Sequence, residues 1–259
     1  MTILHELLAA QEAGESVVLA TVVKARGSVP RHAGSKVLVY GDGRTNGTIG
    51  GGELEARVVT AALEMLAASF PPPRVIPYAL VDPARGDPGV CGGEMEVYLE
   101  SYQPPATLLV IGCGHVGQAV AGLAHWLGYR VIVTDDRAEL ATPTHIPEAD
   151  VYLPGAFDDV WPQITITPTT HVVVVTRNAG LDQYILPHLA PTRAPYIGVM
   201  GSRRRWAETQ RLLRESGLPE ADLARFHCPI GLELHAEDPQ EIAVSIMAEI
   251  IKFRRDKRA

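Results

Sequence analysis

The chain has 259 residues, of which 46% are hydrophobic and 20% are charged, and its formal net charge at pH 7 is −7. That length is enough for two domains of ordinary size. The acidic balance argues against a general nucleic-acid-binding surface, which needs a basic excess, so small molecules or proteins are the expected partners.

The amino terminus and the cysteines indicate where the protein works. Residues 1–15 carry three glutamates and no basic stretch, which predicts an amphipathic helix rather than a signal peptide. No apolar run reaches the length of a membrane span. Cys91, Cys113 and Cys228 are too scattered for a disulfide framework or a zinc cluster. We therefore expect a cytoplasmic protein with reduced thiols and no membrane association.

The first half of the chain is predicted to mix helices and strands. A helix with Leu4, Leu7 and Leu8 on one face comes first, and a longer amphipathic helix extends from Glu53 to about Ala68. Apolar or alternating segments predict strands at 16–24, 36–40, 75–80 and 94–101. Gly41–Gly43 is typical of a hairpin turn after the second of these strands. An α/β domain is the expected result.

A glycine triplet stands just before the longer helix and follows a turn that carries two arginines. The triplet is Gly50, Gly51 and Gly52, and the turn is the segment Arg26, Gly27, Ser28, Val29, Pro30 and Arg31. Ordering three glycines at a helix start has a large entropic cost. We favour a nest of backbone N–H groups that binds an anion, with Arg26 or Arg31 alongside. The alternative is a tight backbone crossing, with Glu53 and Glu55 offsetting the helix dipole.

A cysteine lies next to two glycines before the last strand of this half, in the segment Cys91, Gly92 and Gly93. A thiol in such a loop is either exposed and available to a ligand or buried as a small apolar side chain. The spacing leaves both interpretations open.

Residues 103–106 contain two consecutive prolines and are predicted to be a linker, because the pattern changes there to regular strand–helix alternation. We therefore predict an N-terminal α/β domain over 1–102 and a C-terminal domain over 107–259. Apolar runs predict its strands at 108–112, 130–135, 150–153, 171–176 and 196–200. Such runs are typical of a parallel sheet covered on both faces. The expected fold is Rossmann-like and doubly wound.

The first strand of the second domain leads into a G-x-G-x-x-G turn, in which the residues are Gly112, Cys113, Gly114, His115, Val116 and Gly117. Strand, turn and helix in this order are typical of a dinucleotide-binding unit, where phosphates approach the backbone at the helix start. Asp135 ends the next strand, near the position of a ribose-binding acid. Alternatively, the glycines only shape the crossover and bind nothing.

Three arginines, Arg203, Arg204 and Arg205, open a helix that is predicted to reach about Ser216. Cations in a first helical turn oppose the helix dipole. This arrangement favours a bound anion or an acidic partner, and the alternative is a solvated basic face. A last helix is predicted from Pro239, with Asp238 as its N-cap and Glu241 at the capping-box position.

Catalytic signatures are missing from the sequence. There is no G-x-S-x-G elbow, no H-E-x-x-H, no P-loop and no paired cysteine motif. His115 is the one candidate for donating or accepting a proton at a ligand, and it is equally compatible with an ordinary first-turn residue. A binding protein with one glycine-rich anion site in each domain is therefore expected, and whether it catalyses a reaction stays open.

Several segments resemble, in order and through both domains, the xanthine dehydrogenase accessory family XdhC/CoxI. They are 27–31, 47–55, 91–93, 112–117, 135–137, 197–204 and 229–232. Two positions depart from the family pattern: Cys113 stands where alanine is commoner, and Arg177 and Asn178 stand where some members carry a His–Asp pair.

The resemblance implies a chaperone that binds the pterin molybdenum cofactor, molybdopterin, holds it during sulfuration by a cysteine desulfurase, and delivers it to an apo molybdenum hydroxylase. Such a role fits the residues singled out above. A glycine nest would take the cofactor's phosphate, and the soft thiolate of Cys91 would approach its metal. The cofactor-binding set is then Arg26, Ser28, Arg31, Gly50, Gly51, Gly52, Glu53, Cys91, Gly92, Gly93, Gly112, Gly114, His115, Val116, Gly117, Asp135, Arg203 and Arg204.

The competing hypothesis is an NAD(P)-dependent oxidoreductase, or a binding protein regulated by a nucleotide, which the glycine turn and Asp135 alone would suggest. A dehydrogenase needs a proton donor near the nicotinamide, and only His115 is a candidate. We therefore favour the chaperone. The client hydroxylase stays open, and a homodimer is compatible with the sequence.

Overall fold

The computed structural model of the chain describes residues 2–68, 71–79 and 93–256. The chain divides into two compact units, with the boundary between Pro104 and Pro105. The segment before the boundary is called unit 1 below, and the segment after it unit 2.

Unit 1 is built on an antiparallel sheet with the strand order β3-β2-β1-β5-β4. Its elements are α1 (Ile3–Glu12), β1 (Val17–Arg26), β2 (Lys36–Tyr40), β3 (Thr45–Gly47), α2 (Gly52–Ala67), β4 (Arg74–Ala79) and β5 (Glu94–Tyr102). Side chains alternate across a strand, so one set of β1 residues, including Val18 and Ala20, packs in the cluster that contains α2. The other set, Val17 and Leu19, packs with Leu7 of α1.

Unit 2 is built on a parallel six-stranded sheet with the order β11-β10-β9-β6-β7-β8. Its strands are β6 (Thr107–Ile111), β7 (Arg130–Asp135), β8 (Val151–Pro154), β9 (Thr170–Val174), β10 (Tyr196–Val199) and β11 (Phe226–His227). Its α-helices are α3 (His115–Trp126), α4 (Phe157–Val160), α5 (Ala179–Leu189), α6 (Arg203–Glu215), α7 (Glu220–Leu223) and α8 (Pro239–Asp256). The predicted α/β class with a Rossmann-like parallel sheet is confirmed.

The strand order creates a crevice at the carboxyl end of β6. The chain first builds outward to β7 and β8 and then crosses to β9 on the other side of β6. In open parallel sheets, ligands bind where the order reverses in this way. The G-x-G-x-x-G turn leaves the sheet at this point, because it follows β6 directly.

The sequence pattern does not predict α5. Its first turn contains Gly180 and its interior contains Pro187, and both residues disfavour a helix. The helix forms because the Asn178 side chain caps it by accepting from the Leu181 N–H at 3.0 Å, and because Ile185, Leu186 and Leu189 are buried in the unit 2 core. Tertiary burial here overrides weak local propensity.

Candidate functional site

In unit 1, three loops that are far apart in the sequence meet. A Cβ atom added to Gly93 would collide with the Ser28 carbonyl oxygen, and one added to Gly50 would lie 2.6 Å from Cγ of Pro30. The arginine turn at 27–31 therefore packs against both the glycine triplet and the residue that follows Cys91 and Gly92. Gly93 has no room for a side chain because the Ser28 backbone approaches it, and Gly50 combines a positive φ angle with close contact to the Pro30 ring. Cys91 and Gly92 themselves lie outside the described residues.

All three glycines of the triplet have positive φ angles, which are +133°, +74° and +65° for Gly50, Gly51 and Gly52. The amides of this turn already hold an anion from the protein itself. Oε2 of Glu55 accepts hydrogen bonds from the Ile49 N–H at 3.2 Å, the Gly51 N–H at 3.1 Å and the Thr48 hydroxyl at 2.7 Å.

The expectation that the amides of the glycine triplet are all free to bind a ligand is therefore wrong, because Glu55 already accepts hydrogen bonds from two amides of this turn. Partial burial raises the pKa of Glu55, but the three hydrogen bonds and the charge of Arg31 outweigh it and hold the pKa below its ordinary value. The carboxylate stays ionised and keeps the triplet in its turn. The bond to Ile49 and Gly51 makes those two amides part of the scaffold.

The next positions along the chain are open. Nothing lies within 4 Å of a Cβ atom added to Gly51 or Gly52, and α2 begins there without a side-chain cap. The first N–H groups of a helix have no partner within the helix. Arg31 is exposed, and its positive charge is close enough to lower the pKa of Glu55. Exposed Arg26 pairs with Glu94 in the sheet register.

Of the residues assigned to unit 1, the structure thus brings Ser28, Arg31, Gly50 and Gly93 into one cluster, with Gly51, Gly52 and Glu53 at the adjoining helix start. Glu53 lies in the first turn of α2 and is half-buried. We name this group the unit 1 cluster.

In unit 2 the glycines of the G-x-G-x-x-G turn have different surroundings. Gly112 has φ +110°, and a Cβ atom there would lie 2.6 Å from the Val175 carbonyl oxygen. A Cβ atom on Gly117 would overlap the Gly112 carbonyl oxygen, whereas one on Gly114 would meet nothing within 4 Å. Val116 follows in the first turn of α3, which has no side-chain cap. Only the space over Gly114 is open to a ligand.

The carboxylate of Asp135 is occupied by groups of the protein and is buried, with 2% of the side chain exposed. One oxygen accepts the Cys113 N–H at 2.7 Å and Nη2 of Arg137 at 3.0 Å, and the other accepts the N–H and Nε of Arg137 at 2.9 and 3.0 Å. Asp135 therefore supports the glycine turn. A ribose hydroxyl would have to displace Arg137 to reach it.

Cys113, the departure inside the glycine turn, is fully buried. Burial, with a contribution from Asp135, raises the pKa of its thiol to about 12, so the group stays protonated. Its backbone is fixed from both sides, because its carbonyl is 2.9 Å from Nε2 of His145. Cys113 acts here as a small apolar residue.

The other departure, Arg177 and Asn178, has a structural role. Arg177 forms two hydrogen bonds of 2.6 Å with the carboxylate of Asp136, joining the ends of β9 and β7 across β6. The neighbouring Asn178 caps α5.

The three arginines at the start of α6 separate into two kinds. Arg203 and Arg204 are exposed. Arg205 instead donates to Asp182 Oδ2 at 2.6 and 3.1 Å, and to the hydroxyl and carbonyl oxygens of Thr176 at 3.0 and 3.2 Å. Asp182 is 1% exposed, and burial raises its pKa although Thr176 and Arg205 oppose that shift.

For Arg205, the expected acidic partner is therefore Asp182 of the same chain and not a ligand or another protein. Sequence reasoning misses Asp182 because it lies in α5, the helix that the pattern does not predict. The Asn178 cap followed by an acid four residues later is the local signal that could have located it.

His115 is exposed at the start of α3 and lines a cleft of about 550 Å³ between α3 and α8. The lining is polar at this end, with Gln118 and Gln240, and mostly apolar or small elsewhere. Among the described residues, no group of three His, Cys, Asp or Glu side chains is arranged to hold a metal ion. None of the described helices is long and apolar enough to cross a membrane.

Comparison with known families gives two matches that together cover most of the chain. Residues 108–250 match the model of the XdhC Rossmann domain, and residues 10–75 match the model of the XdhC and CoxI family.

Three curated relatives are similar to the chain. An uncharacterised protein of Escherichia coli K12, YqeB, is 33% identical over 99% of this chain and 47% of its own length. A protein of Bacillus subtilis 168, named as a probable subunit of xanthine dehydrogenase, is 34% identical over 61% of this chain and 46% of its own length. The chain thus spans about half the length of these two relatives. The molybdenum cofactor insertion chaperone PaoD of E. coli K12 is 24% identical over 98% of this chain and 88% of its own length.

Among solved structures, a protein of Bacillus halodurans described as a xanthine dehydrogenase shares the fold. It matches with a TM-score of 0.54 at 22% identity, and the match covers 100% of this chain and 97% of that protein. At this identity the likeness concerns the fold alone.

Proposed function

This chain belongs to the XdhC and CoxI family, and from that membership we propose that it binds the pterin molybdenum cofactor and delivers it to an apo molybdenum hydroxylase of the xanthine or aldehyde dehydrogenase type. The name of the relative PaoD, a molybdenum cofactor insertion chaperone, supports the role. The name of the B. subtilis relative supports the type of client. Sulfuration of the held cofactor by a cysteine desulfurase belongs to the same proposal.

The observation that carries the proposal is the unit 1 cluster. Three loops that resemble family segments converge there, next to a helix start with open space over Gly51 and Gly52. The amides of this helix start and the nearby Arg31 suit the phosphate of the cofactor, because a helix start and a guanidinium both attract anions. Glu55 occupies the inner amides, so the phosphate would bind at the outer ones.

We assign the metal end of the cofactor to Cys91, which precedes Gly93 by two residues in the sequence. A thiolate is a ligand that soft metal centres accept. Gly93 packs against Ser28, so this assignment would bring the thiolate to the unit 1 cluster.

Cofactor retention tests the proposal directly. The purified chain is mixed with molybdenum cofactor released from a donor enzyme and passed down a desalting column, and retained molybdenum and pterin are assayed. We expect about one cofactor per chain, a marked loss of both in Arg31→Gln, and a loss of molybdenum in Cys91→Ser. Cys228→Ser, a thiol in unit 2, is the matched control and should retain the cofactor. Equal retention by all variants would contradict the residue assignments, and no retention by the unaltered chain would contradict the function.

A nicotinamide-dependent oxidoreductase remains the competing function. The surroundings of Asp135 argue against this function, because both carboxylate oxygens already accept hydrogen bonds from Cys113 and Arg137 and are not free to bind a ribose. Fluorescence titration with NADH separates the two functions. Tight NADH binding without cofactor retention would favour the oxidoreductase, and NADH binding together with retention would favour a regulatory nucleotide site.

A further inference from the structure

Helices α3 and α8 lie side by side and run in the same direction. Their first turns line one cleft, to which His115 and Gln118 contribute from α3 and Pro239 and Gln240 from α8. At the other end, Nη1 of Arg254 in the last turn of α8 donates to the hydroxyl of Tyr129, just after α3, at 2.6 Å. The two helices therefore form a parallel pair, with a cleft between their N-terminal halves.

Small and apolar residues make up much of the outer face of this pair, and the half-buried carboxyl group of Glu148 lies 3.9 Å from the Cβ position of Gly122. On α3, residues at helical spacing share the outer stripe, and they are His115, Ala119, Gly122 and Trp126. The stripe on α8 consists of Gln240, Val244, Ala248 and Ile251. The exposed fractions are 79% for Trp126, 50% for Val244 and 37% for Ile251. A contiguous exposed apolar face of this kind is typical of a protein-binding surface.

Charge is divided between the two ends of the same face. Exposed acids stand at the start of α8 and just before it, and they are Glu237, Asp238 and Glu241. Two exposed bases, Lys252 and Arg255, stand in its last turns together with one exposed acid, Asp256. A surface with acids at one end, apolar residues in the middle and bases at the other end is complementary to its own copy turned by 180°. Two-fold interfaces require this self-complementarity.

We propose that the α3–α8 face binds a second copy of this chain, with the two α8 helices antiparallel about a two-fold axis near Ala248. The acidic start of each α8 then meets the basic end of the other, and Val244, Ile251 and Trp126 are buried. Ala248 is small, which allows the two α8 helices to approach closely at the axis. The 18 residues of α8 span about 27 Å. One helix pair of that length makes a modest interface, so we expect a weak dimer with a Kd of about 1–50 µM.

Sedimentation velocity of the full chain from about 1 to 100 µM, which brackets such a Kd, measures the proposal. The unaltered chain should shift from monomer to dimer. Ala248→Arg places a bulky charge at the axis and should raise the Kd at least tenfold. Ala207→Arg is the matched control, because Ala207 is exposed on α6, away from this face, and it should dimerise normally.

A charge exchange makes the test specific for the antiparallel arrangement. Glu241 and Arg255 each lie seven residues from Ala248 along α8, so the proposed arrangement brings them together across the axis. Glu241→Arg or Arg255→Glu alone opposes like charges there and should weaken the dimer, whereas the double variant should restore it. Restoration by the double variant is not expected from simple damage to the fold. A monomer throughout the concentration range overturns the proposal and leaves the face to a different protein. A dimer that Ala248→Arg does not weaken overturns it equally.

Discussion

Gly112, Gly114 and Gly117 share one turn but are required for different reasons. Gly112 and Gly117 have no room for a Cβ atom, since the backbone of Val175 approaches one and the Gly112 carbonyl approaches the other. Gly114 has open space instead. A family pattern records the three glycines alike, but only Gly114 has a surrounding that suits a ligand.

Alanine substitutions should separate the two kinds of glycine. Gly117→Ala forces the backbone apart and should lower the free energy of unfolding of unit 2 by about 3 kcal/mol. Gly114→Ala should cost less than about 1 kcal/mol because nothing stands in the way. Urea denaturation followed by circular dichroism measures both, and equal midpoints for the two variants would contradict this account.

The cysteines provide a second prediction at this scale. Burial raises the pKa values of Cys113 and Cys228 to about 12. At pH 7.5 almost no thiolate forms at either residue, and the thiolate is the reactive species. Brief alkylation followed by peptide mass spectrometry should therefore modify both only after denaturation. Early modification of Cys91 is expected from the proposed role of its thiol, and protection of Cys91 in the native protein would weaken that role.

At the scale of elements, the start of α2 depends on one side chain. Glu55 lies in the first turn of α2 and accepts hydrogen bonds there from the Thr48 hydroxyl and two backbone amides. The triplet of positive-φ glycines gains its order from this carboxylate. The same geometry recurs in unit 2, where Asp135 fixes the glycine turn through the Cys113 N–H. In both units an internal carboxylate holds a glycine-rich turn.

Replacing Glu55 with Gln should lower the free energy of unfolding by about 1–3 kcal/mol at pH 7, because hydrogen bonds to a charged acceptor are lost. The pKa of Glu55 is lowered on folding, so its contribution is complete above about 4.5 and disappears as the pH falls through the folded value. The difference between the two proteins should therefore shrink below pH 4.5. Denaturation at pH 7 and pH 3.5 measures it, and a difference independent of pH would exclude the ionised carboxylate as the cause.

At the scale of the whole molecule, each unit has its own apolar core. Leu99 belongs to the core of unit 1 and Leu109 to that of unit 2, and both are fully buried in strands. Each unit therefore buries a hydrophobic core of its own, which is what a domain needs in order to fold separately. Family membership extends over both, since one family model matches each.

A matched pair of core variants tests this independence. Leu99→Ala and Leu109→Ala should each cost about 2–5 kcal/mol, because each leaves a cavity. Hydrogen exchange with mass spectrometry should show the loss of protection mainly in the unit that carries the substitution. Equal loss in both units for either variant would mean that the chain unfolds as one cooperative body.

The sequence alone was enough to predict most strands and helices, the parallel sheet of unit 2 and the glycine turn after β6. These features depend on periodicity and on residues that are close in the chain, so they can be identified without a fold. The sequence did not predict α5, where Gly180 and Pro187 obscure the pattern and burial decides the outcome. It also did not predict four elements of four residues or fewer, which are β3, α4, α7 and β11.

What occupies each predicted anion site was decided only by the tertiary structure. Asp135 meets an amide 22 residues away, and Asp182 meets Arg205 across 23 residues. Ser28 follows β1, Gly50 precedes α2 and Gly93 precedes β5, and the folded chain brings these three loops together. The spacing of residues along the chain does not determine these contacts, because a hydrogen bond or ion pair forms only where the folded backbone brings two distant groups together.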